Sequence, residues 1–501
     1  MAKFAKNPQT SMLNANSSRS KPWQIYPLAG LVIVFSLIVY TWFISAGSWT
    51  NWPTVTQNYD RLATSFLHGR TWLDRQPSPA LLAMPDPYDY AARKAAKVSF
   101  IWDTSLYKGK FYLYWEPLPA IILAAIKFVF PHTIGDQYLL FGFLAGLLMF
   151  ETLFILKLRR QYYEDIPTWV VLICILLSAL VYPIPEMLKH PAIYEAAIAG
   201  GQFFLIGGLY FAWSALEKKT SDYINLMLAG IFWVCAIGSR ATLLIPVAFL
   251  IFMTFVMIAN HDGKSIKDPT VFSKFMMMLL PVGLGGLGLA WYNWVRFGSI
   301  FETGIRYQLT IVNFYKDHDQ SFSWLYTVPN LWNYILNPAA VQSTFPFLIA
   351  QNGQSRSFIA MAKPGIFQSD VITGLLFSVP FLLFSLITVS KLLPTTSPRG
   401  SMQHSSAVET PAGKLLTWIS ISLAGIGILS LITALFFFFS IARYLADITP
   451  SLLLFSMLGL WQGYHLLKQR YAGRNPYLFL VLFMCLAVPS ILVSLLLAMT
   501  G

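Results

Sequence analysis

The chain has 501 residues, of which 56% are hydrophobic and 11% charged, and a net charge of +13. The charged share is about half that of an ordinary soluble domain, which excludes a water-soluble globular fold. The Lys and Arg stand in short clusters between apolar runs, the pattern that orients helices in a bilayer, so no nucleic-acid partner is expected.

Residues 1–25 carry Lys3, Lys6, Arg19 and Lys21 with no acid and read as a cytoplasmic tail. The apolar run 26–47 follows, with Ala46-Gly47-Ser48 resembling a cleavage site. The run is longer than a signal-peptide core and many others come after it, so a retained first transmembrane helix is expected.

Segment 48–136 is too long and polar for a connector and reads as a first extracytoplasmic loop with juxtamembrane helices. Apolar residues at helical spacing from Thr54 to Leu67 place Asp60 on a short interfacial helix. A carboxylate there can act as a base at the membrane surface, or pair with Arg61 or another cation. Asp74, Asp86 and Asp89 read as solvated acids, and Asp103 in Trp102-Asp103-Thr104 as a reserve candidate. The loop closes on Tyr112-Leu113-Tyr114-Trp115-Glu116-Pro117-Leu118-Pro119, where burial would raise the pKa of Glu116 unless a cation or metal holds its charge. The stretch 117–130 would be only about 21 Å long as a helix, too short for a crossing, and is expected to be juxtamembrane or re-entrant.

Residues 137–295 read as a transmembrane bundle with runs near 138–156, 168–184, 195–214, 223–238, 241–259 and 275–295. Cys174, Cys235 and Cys485 lie inside apolar runs without metal-ligand or paired spacing, so neither a zinc site nor a disulfide framework is indicated. Glu151 lies within a span and is expected to make a buried hydrogen bond. Tyr194-Glu195 enters another helix, and Arg240 interrupts two helices in Gly238-Ser239-Arg240-Ala241-Thr242. With no acid near it in sequence, Arg240 fits a phosphate contact or snorkelling to headgroups.

A second extracytoplasmic loop, 296–370, follows the aromatic run Trp291-Tyr292-Asn293-Trp294 and contains Glu302, Arg306, Tyr307 and Gln308. Aromatic faces beside such groups can hold a sugar or a headgroup, or anchor the loop at the interface. Residues 371–501 carry the runs 371–390, 415–439, 444–465 and 476–499, with a cytoplasmic linker near 391–414 that is Ser/Thr-rich from Thr395 to Glu409. Arg443 and Asp447 stand four apart and are expected on one helix face, as a salt bridge or as substrate contacts.

With 117–130 not crossing, the clusters Lys157/Arg159/Arg160, Lys218/Lys219, Lys264/Lys267/Lys274, Lys391/Arg399/Lys414 and Lys468/Arg470/Arg474 fall on the side of the N-terminus. The positive-inside rule then predicts an all-α integral membrane protein with about eleven transmembrane helices (about 11–13 if short pieces cross), a cytoplasmic N-terminus and two long extracytoplasmic loops carrying interfacial helices.

The first loop and the interrupted helices together resemble the C-type superfamily of polytopic glycosyltransferases, especially bacterial members related to protein mannosyltransferases and the aminoarabinose lipid A transferase. The resemblance implies a plasma-membrane enzyme that takes a sugar from a polyprenyl-phosphate carrier in the lipid and transfers it, with inversion, to an extracytoplasmic acceptor. Asp60 matches the acidic position used there as catalytic base or metal-linked carboxylate, and Glu116-Pro117-Leu118-Pro119 looks like the acidic, proline-containing motif that closes the loop. Asp60 lacks the adjacent second acid of many relatives, and no lysine follows Glu116 as it does in the aminoarabinose transferase. A divalent cation, magnesium or manganese, held by Asp60 and Glu116 would be the implied cofactor.

An inverting transfer needs a base for the acceptor hydroxyl and positive charge for the departing phosphate. Asp60 and Glu116 are therefore the expected catalytic acids and Arg240 and Arg443 the phosphate ligands. Tyr194, Glu195, Arg306 and Tyr307 are expected on the substrate, with Asp103 and Asp447 in reserve. The alternative is a transporter or flippase for an amphiphilic substrate, which predicts polar groups through mid-membrane and broken helices. Ionisable groups gathered at one face, and no clear internal repeat, favour the enzyme.

Overall fold

The computed structural model describes residues 25–217, 222–261, 268–353, 365–393, 410–471 and 476–500. Nearly all of the expected cytoplasmic tail, Lys218/Lys219, Lys264/Lys267, Arg474 and the linker Thr395–Glu409 with Arg399 lie outside them.

Helices dominate the fold, and in chain order the principal ones are α1 (Ile25–Ile44), α2 (Asn58–Leu67), α3 (Leu118–Val129), α4 (Asp136–Tyr162), α5 (Thr168–Leu180), α6 (Ile193–Glu217), α7 (Tyr223–Ser239), α8 (Leu244–His261), α9 (Pro269–Phe297), α10 (Pro411–Phe436), α11 (Thr449–Arg470) and α12 (Tyr477–Ala498). Seven of the described helices are long and apolar enough to cross a membrane: α1, α4, α6, α8, α9, α10 and α12. The chain is an all-α integral membrane protein with several membrane-spanning helices. A total of about eleven crossings also requires α5, α7, α11 and the helical pieces between Leu375 and Leu392.

α6 is the most enclosed of the seven long helices, packed between α4 and α7. Its glycines make that possible: a Cβ added at Gly207 would lie 2.6 Å from the Phe232 ring, and one at Gly208 would lie 2.4 Å from the Trp233 ring, both on α7. Small residues thus admit large aromatic rings at the helix interface, where packing rather than the hydrophobic effect holds membrane helices together.

The run 371–390 was expected as one span and is instead broken into Val371–Ile372 in extended form, Leu375–Ser378, a 3-10 turn Pro380–Phe384 and Ser385–Leu392. Pro380 supplies no backbone N–H to continue the ladder, so the chain re-forms a helix only after it.

The first loop folds as α2, a hairpin of β1 (Ser105–Tyr107) and β2 (Lys110–Tyr112), and α3. At 12 residues α3 rises about 18 Å, too little to cross unaided. The carboxylate of Asp136 accepts from the N–H groups of Asn58 at 3.2 Å and Tyr59 at 3.3 Å, capping the otherwise unsatisfied start of α2 from the start of α4.

The two long loops fasten to each other. Leu309 N–H donates to the Thr104 carbonyl at 2.8 Å, Asp103 N–H to the Leu309 carbonyl at 3.1 Å, and the buried Arg93 guanidinium to the Thr310 carbonyl at 2.5 Å. The second loop also seals the end of α10: the Asn330 amide donates to the carbonyls of Ala434, Leu435 and Phe437, where the helical ladder runs out.

Candidate functional site

A cavity of about 450 Å³ opens where the two loops meet the ends of α6, α7 and α10. Its polar lining includes Asp103, Glu116, Tyr194, Arg240, Arg443 and Asp447, joined by Gln308, His318 and Asp370. Trp102, Tyr114, Trp115, Tyr444 and Phe437 supply aromatic walls. The volume and the mixture of apolar walls with a few convergent charges are those of a small-molecule site.

The two arginines are paired across the bundle. Arg240, at the junction of α7 with the turn before α8, donates from Nε at 3.0 Å and Nη2 at 2.8 Å to one oxygen of Asp447. Arg443 Nη1 lies 3.4 Å from Glu195 Oε1, and its guanidinium sits 4.4 Å from the centre of the Tyr194 ring. The expected Arg443–Asp447 pair is therefore not formed, and Arg240 has an acid after all. Residues Ala442–Asp447 form a 3-10 helix, in which positions three apart eclipse, so a spacing of four does not align the two side chains.

Asp103 takes a left-handed backbone conformation with φ +53°, which is uncommon outside glycine and easiest for Asp and Asn. Its carboxylate accepts from the Tyr194 hydroxyl and from the Gln308 amide at 3.0 Å, which fixes it at the cavity wall. Glu116 faces the cavity half-buried, and burial pushes its carboxyl up to about 7, with the nearby Arg240 and Arg296 charges and backbone N–H groups offsetting only part of the effect. Such a group takes and gives protons near neutral pH.

Several buried donors on this wall have no protein acceptor: Arg443 Nε, Trp115 Nε1 and the Thr242 hydroxyl. The first two are N–H groups that can only donate. Donors gathered beside two guanidiniums make an anion the complementary ligand.

Asp60 is placed elsewhere. It is buried, is absent from the cavity lining, and its Oδ1 accepts from Lys127 Nζ at 2.5 Å and from the Ile134 N–H at 3.0 Å. The pair ties α2 to α3 through Lys127 from the short apolar helix, so the carboxylate expected as the catalytic base does not face the cavity. The expected Asp60–Glu116 metal site does not fit either, since only one of the two acids faces the cavity. Among the described residues no group of three His, Cys, Asp or Glu is arranged to hold a metal. Arg306 and Tyr307 also lie off the cavity: Arg306 is exposed, and Tyr307 packs with Tyr107, Phe297 and Tyr315. Glu195 does not line the cavity, though it holds Arg443.

Sequence reasoning missed His318, Asp370 and Tyr444 as lining residues, whereas Gln308 stood among the loop groups set beside aromatic faces. Tyr114 and Trp115 carried a signal, the aromatic setting of Glu116, whereas Asp370, between two short strands, and His318, at the start of a 3-10 turn, have no local pattern to mark them.

Asp60→Asn is expected to destabilise the protein by about 3–5 kcal/mol, since it leaves the Lys127 ammonium buried without its counter-charge. Lys127→Met should cost a similar amount for the converse reason, and thermal unfolding in detergent reads both. A change in the activity of the folded fraction, with no loss of stability, would return Asp60 to the chemistry.

No protein-family model matches this chain, and no curated protein matches it by sequence. Among solved structures it is similar to the apo oligosaccharyltransferase of Archaeoglobus fulgidus, with 12% identity and a TM-score of 0.46 over 95% of this chain and 56% of that one. It is also similar to the oligosaccharyltransferase AglB of the same organism in complex with an inhibitory peptide and a dolichol-phosphate, with 13% identity, a TM-score of 0.45 and the same two coverages. A third structure, of the Archaeoglobus enzyme with Zn and sulfate, has 13% identity and a TM-score of 0.42 over 93% of this chain and 53% of that one. The chain spans about half the length of the solved chains it matches.

Proposed function

We propose that the protein is an inverting glycosyltransferase that moves a sugar from a polyprenyl-phosphate-linked donor to a hydroxyl acceptor within the loop cavity. The observation that carries this reading is the meeting, on one cavity wall, of the Arg240 and Arg443 guanidiniums with Glu116, whose carboxyl burial pushes up to about 7. The acceptor oxygen attacks the anomeric carbon while the bond from that carbon to the phosphate oxygen breaks. Glu116 takes the hydroxyl proton, and the electron pair leaves on the phosphate, whose charge falls to Arg443, Arg240 and Trp115 Nε1. Asp103, held by Tyr194 and Gln308, orients the hydroxyls of the transferred sugar.

The test is transfer of radiolabelled sugar from polyprenyl-phosphate donors in proteoliposomes. Wild type is expected to transfer, and Arg443→Ala to weaken donor affinity about 10- to 100-fold, the range of a lost charge-assisted hydrogen bond. Arg443→Lys should restore little, because an ammonium cannot reach Glu195 and a phosphate with the same fork of donors. No transfer from any donor, together with donor movement across the bilayer, would replace the enzyme with a flippase.

The same reading places the protein in the plasma membrane with its N-terminus cytoplasmic and both long loops outside. A cysteine introduced at Glu164, between α4 and α5, should then resist a membrane-impermeant thiol reagent in intact cells and react once they are opened. Labelling of intact cells would invert the arrangement.

A further inference from the structure

Within the second loop, residues 321–353 include no Asp, Glu, Lys, Arg or His. The helical stretch of this segment starts as a 3-10 turn, Trp324–Tyr326, and continues as Thr327–Leu331 and Trp332–Leu336. Its amide side chains point inward: Asn330 and Asn333, with Asn337 just after, are 0% exposed. The Asn333 amide donates to Ser369 Oγ at 3.0 Å and Ser440 Oγ at 2.7 Å, and that of Asn337 to the carbonyls of Gln351 at 3.1 Å and Ile372 at 2.8 Å. The outer side is apolar: Trp324 is 76% exposed and Val328 63%, with Leu331 exposed a turn further on.

A helix on a water-facing surface does the reverse, burying its apolar stripe and turning its polar groups out. The neighbouring surface shows what surrounds this one. Ile428, Ile432 and Phe436 stand four apart on α10, a helix long and apolar enough to cross the membrane, and all three are exposed. Ser323 N–H donates to the Phe436 carbonyl at 2.9 Å, so the exposed stripe of α10 leads onto the stretch that begins at Trp324. Further along, Ala340–Val341 pairs antiparallel with Leu348–Ile349, and this hairpin packs against α12, another of the seven long apolar helices. Its turn exposes Phe345 and Phe347. Large exposed apolar surfaces mark contacts with protein or with membrane, and continuity with the flanks of two spanning helices selects the membrane.

We propose that the second loop docks on lipid through two points of insertion, the outer face of Trp324–Leu331 and the Phe345 and Phe347 side chains of the hairpin, both reaching the acyl chains of the leaflet at the cavity's end of the bundle. An apolar face held in this way sinks roughly 5–10 Å into the boundary between headgroups and acyl chains. Sequence length and polarity called only for interfacial helices somewhere in the loop; the inward amides and outward rings assign the stretch, and the hairpin is an insertion that no local pattern marked. Ser321 and Phe322, which open the stretch, also line the cavity. The docking therefore holds that wall of the cavity at the lipid surface, where a polyprenyl-phosphate group would arrive, and this consequence alone rests on the proposed donor.

Two measurements on the full-length protein in phosphatidylethanolamine–phosphatidylglycerol vesicles test the proposal. In the first, a nitroxide label is attached to Val328→Cys, Phe345→Cys, Ile432→Cys or Arg306→Cys after the native cysteines are changed to alanine. Oxygen concentrates in hydrocarbon and a nickel chelate in water, so the ratio of their collision rates with the label reads depth. Ile432→Cys on α10 sets the lipid value, and Arg306→Cys, exposed on the same loop, sets the water value. Labels at Val328 and Phe345 are expected to favour oxygen as Ile432→Cys does. A label at either site as open to the chelate as Arg306→Cys would overturn the proposal. One shielded from both reagents would overturn it too, by placing a second copy of the chain or another protein on this face. The second measurement needs no variant: a phospholipid with a diazirine on its acyl chain, illuminated with the wild-type protein, should label peptides containing 324–331 and 345–347 together with those of α10. Labelling confined to the spanning helices would overturn the insertion. Both readouts report depth whether or not the protein transfers sugar, so failure of the donor reading would leave them standing.

Discussion

Glu116→Gln is expected to lower transfer by about 10²- to 10⁴-fold, the usual contribution of a positioned general base, while leaving donor binding largely intact. In wild type the rate should rise with pH through about 7 and then level off, because the carboxyl must be ionised to take the acceptor proton. The variant's residual rate should lack that rise. Stability provides an independent control. Burial raises the folded-state pKa of Glu116 from 4.5 to about 7, so the folded protein binds the proton more tightly than the unfolded chain does. The contribution of Glu116 to stability is then fullest below about pH 4.5, declines as pH rises toward 7, and leaves a deficit above it on the order of 2–3 kcal/mol. Glu116→Gln, which stays neutral, should therefore be more stable than wild type at pH 8 and nearly equal to it at pH 4. A variant that is well folded, more stable at high pH and inactive identifies the base. One that keeps its activity and pH profile would transfer the role to Asp103.

Apolar run length made most of this fold legible, because a span of about 20 residues is set by bilayer thickness and not by tertiary detail. The short α3 was legible for the same reason. Two buried partners lay too far away in sequence for local spacing to name them: Asp60 is paired with Lys127, 67 residues on, and Arg240 with Asp447, 207 residues on. Local spacing offered Arg61 or another cation for the first and left the second without an acid. The Arg443–Asp447 expectation also failed locally, since a spacing of four is informative only once the segment is known to be α-helical, and 442–447 is not. The cavity could be anticipated in its charged residues because charges at helix ends are costly enough to need a reason. Its loop-borne members carry no such penalty at the membrane surface, so nothing in their surroundings singled them out.

The Arg240–Asp447 pair should separate structural from binding effects. Both side chains are buried, so Asp447→Leu or Arg240→Met alone leaves one charge uncompensated and is expected to cost about 3–5 kcal/mol in thermal or denaturant unfolding. Replacing both at once removes the pair's desolvation together with its attraction, and should bring stability back to within about 1 kcal/mol of wild type. Phosphate affinity should not follow stability back. Arg240→Met is expected to weaken donor binding about 10- to 100-fold, and the double variant by the same factor, because Asp447 matters to the donor only through the guanidinium it holds. The cycle thus predicts strong coupling in stability and no additional loss of affinity once the arginine is gone. A double variant that regained donor affinity along with stability would show Arg240 to be a tie between α7 and the turn before α11, and would leave the phosphate to Arg443 and Trp115.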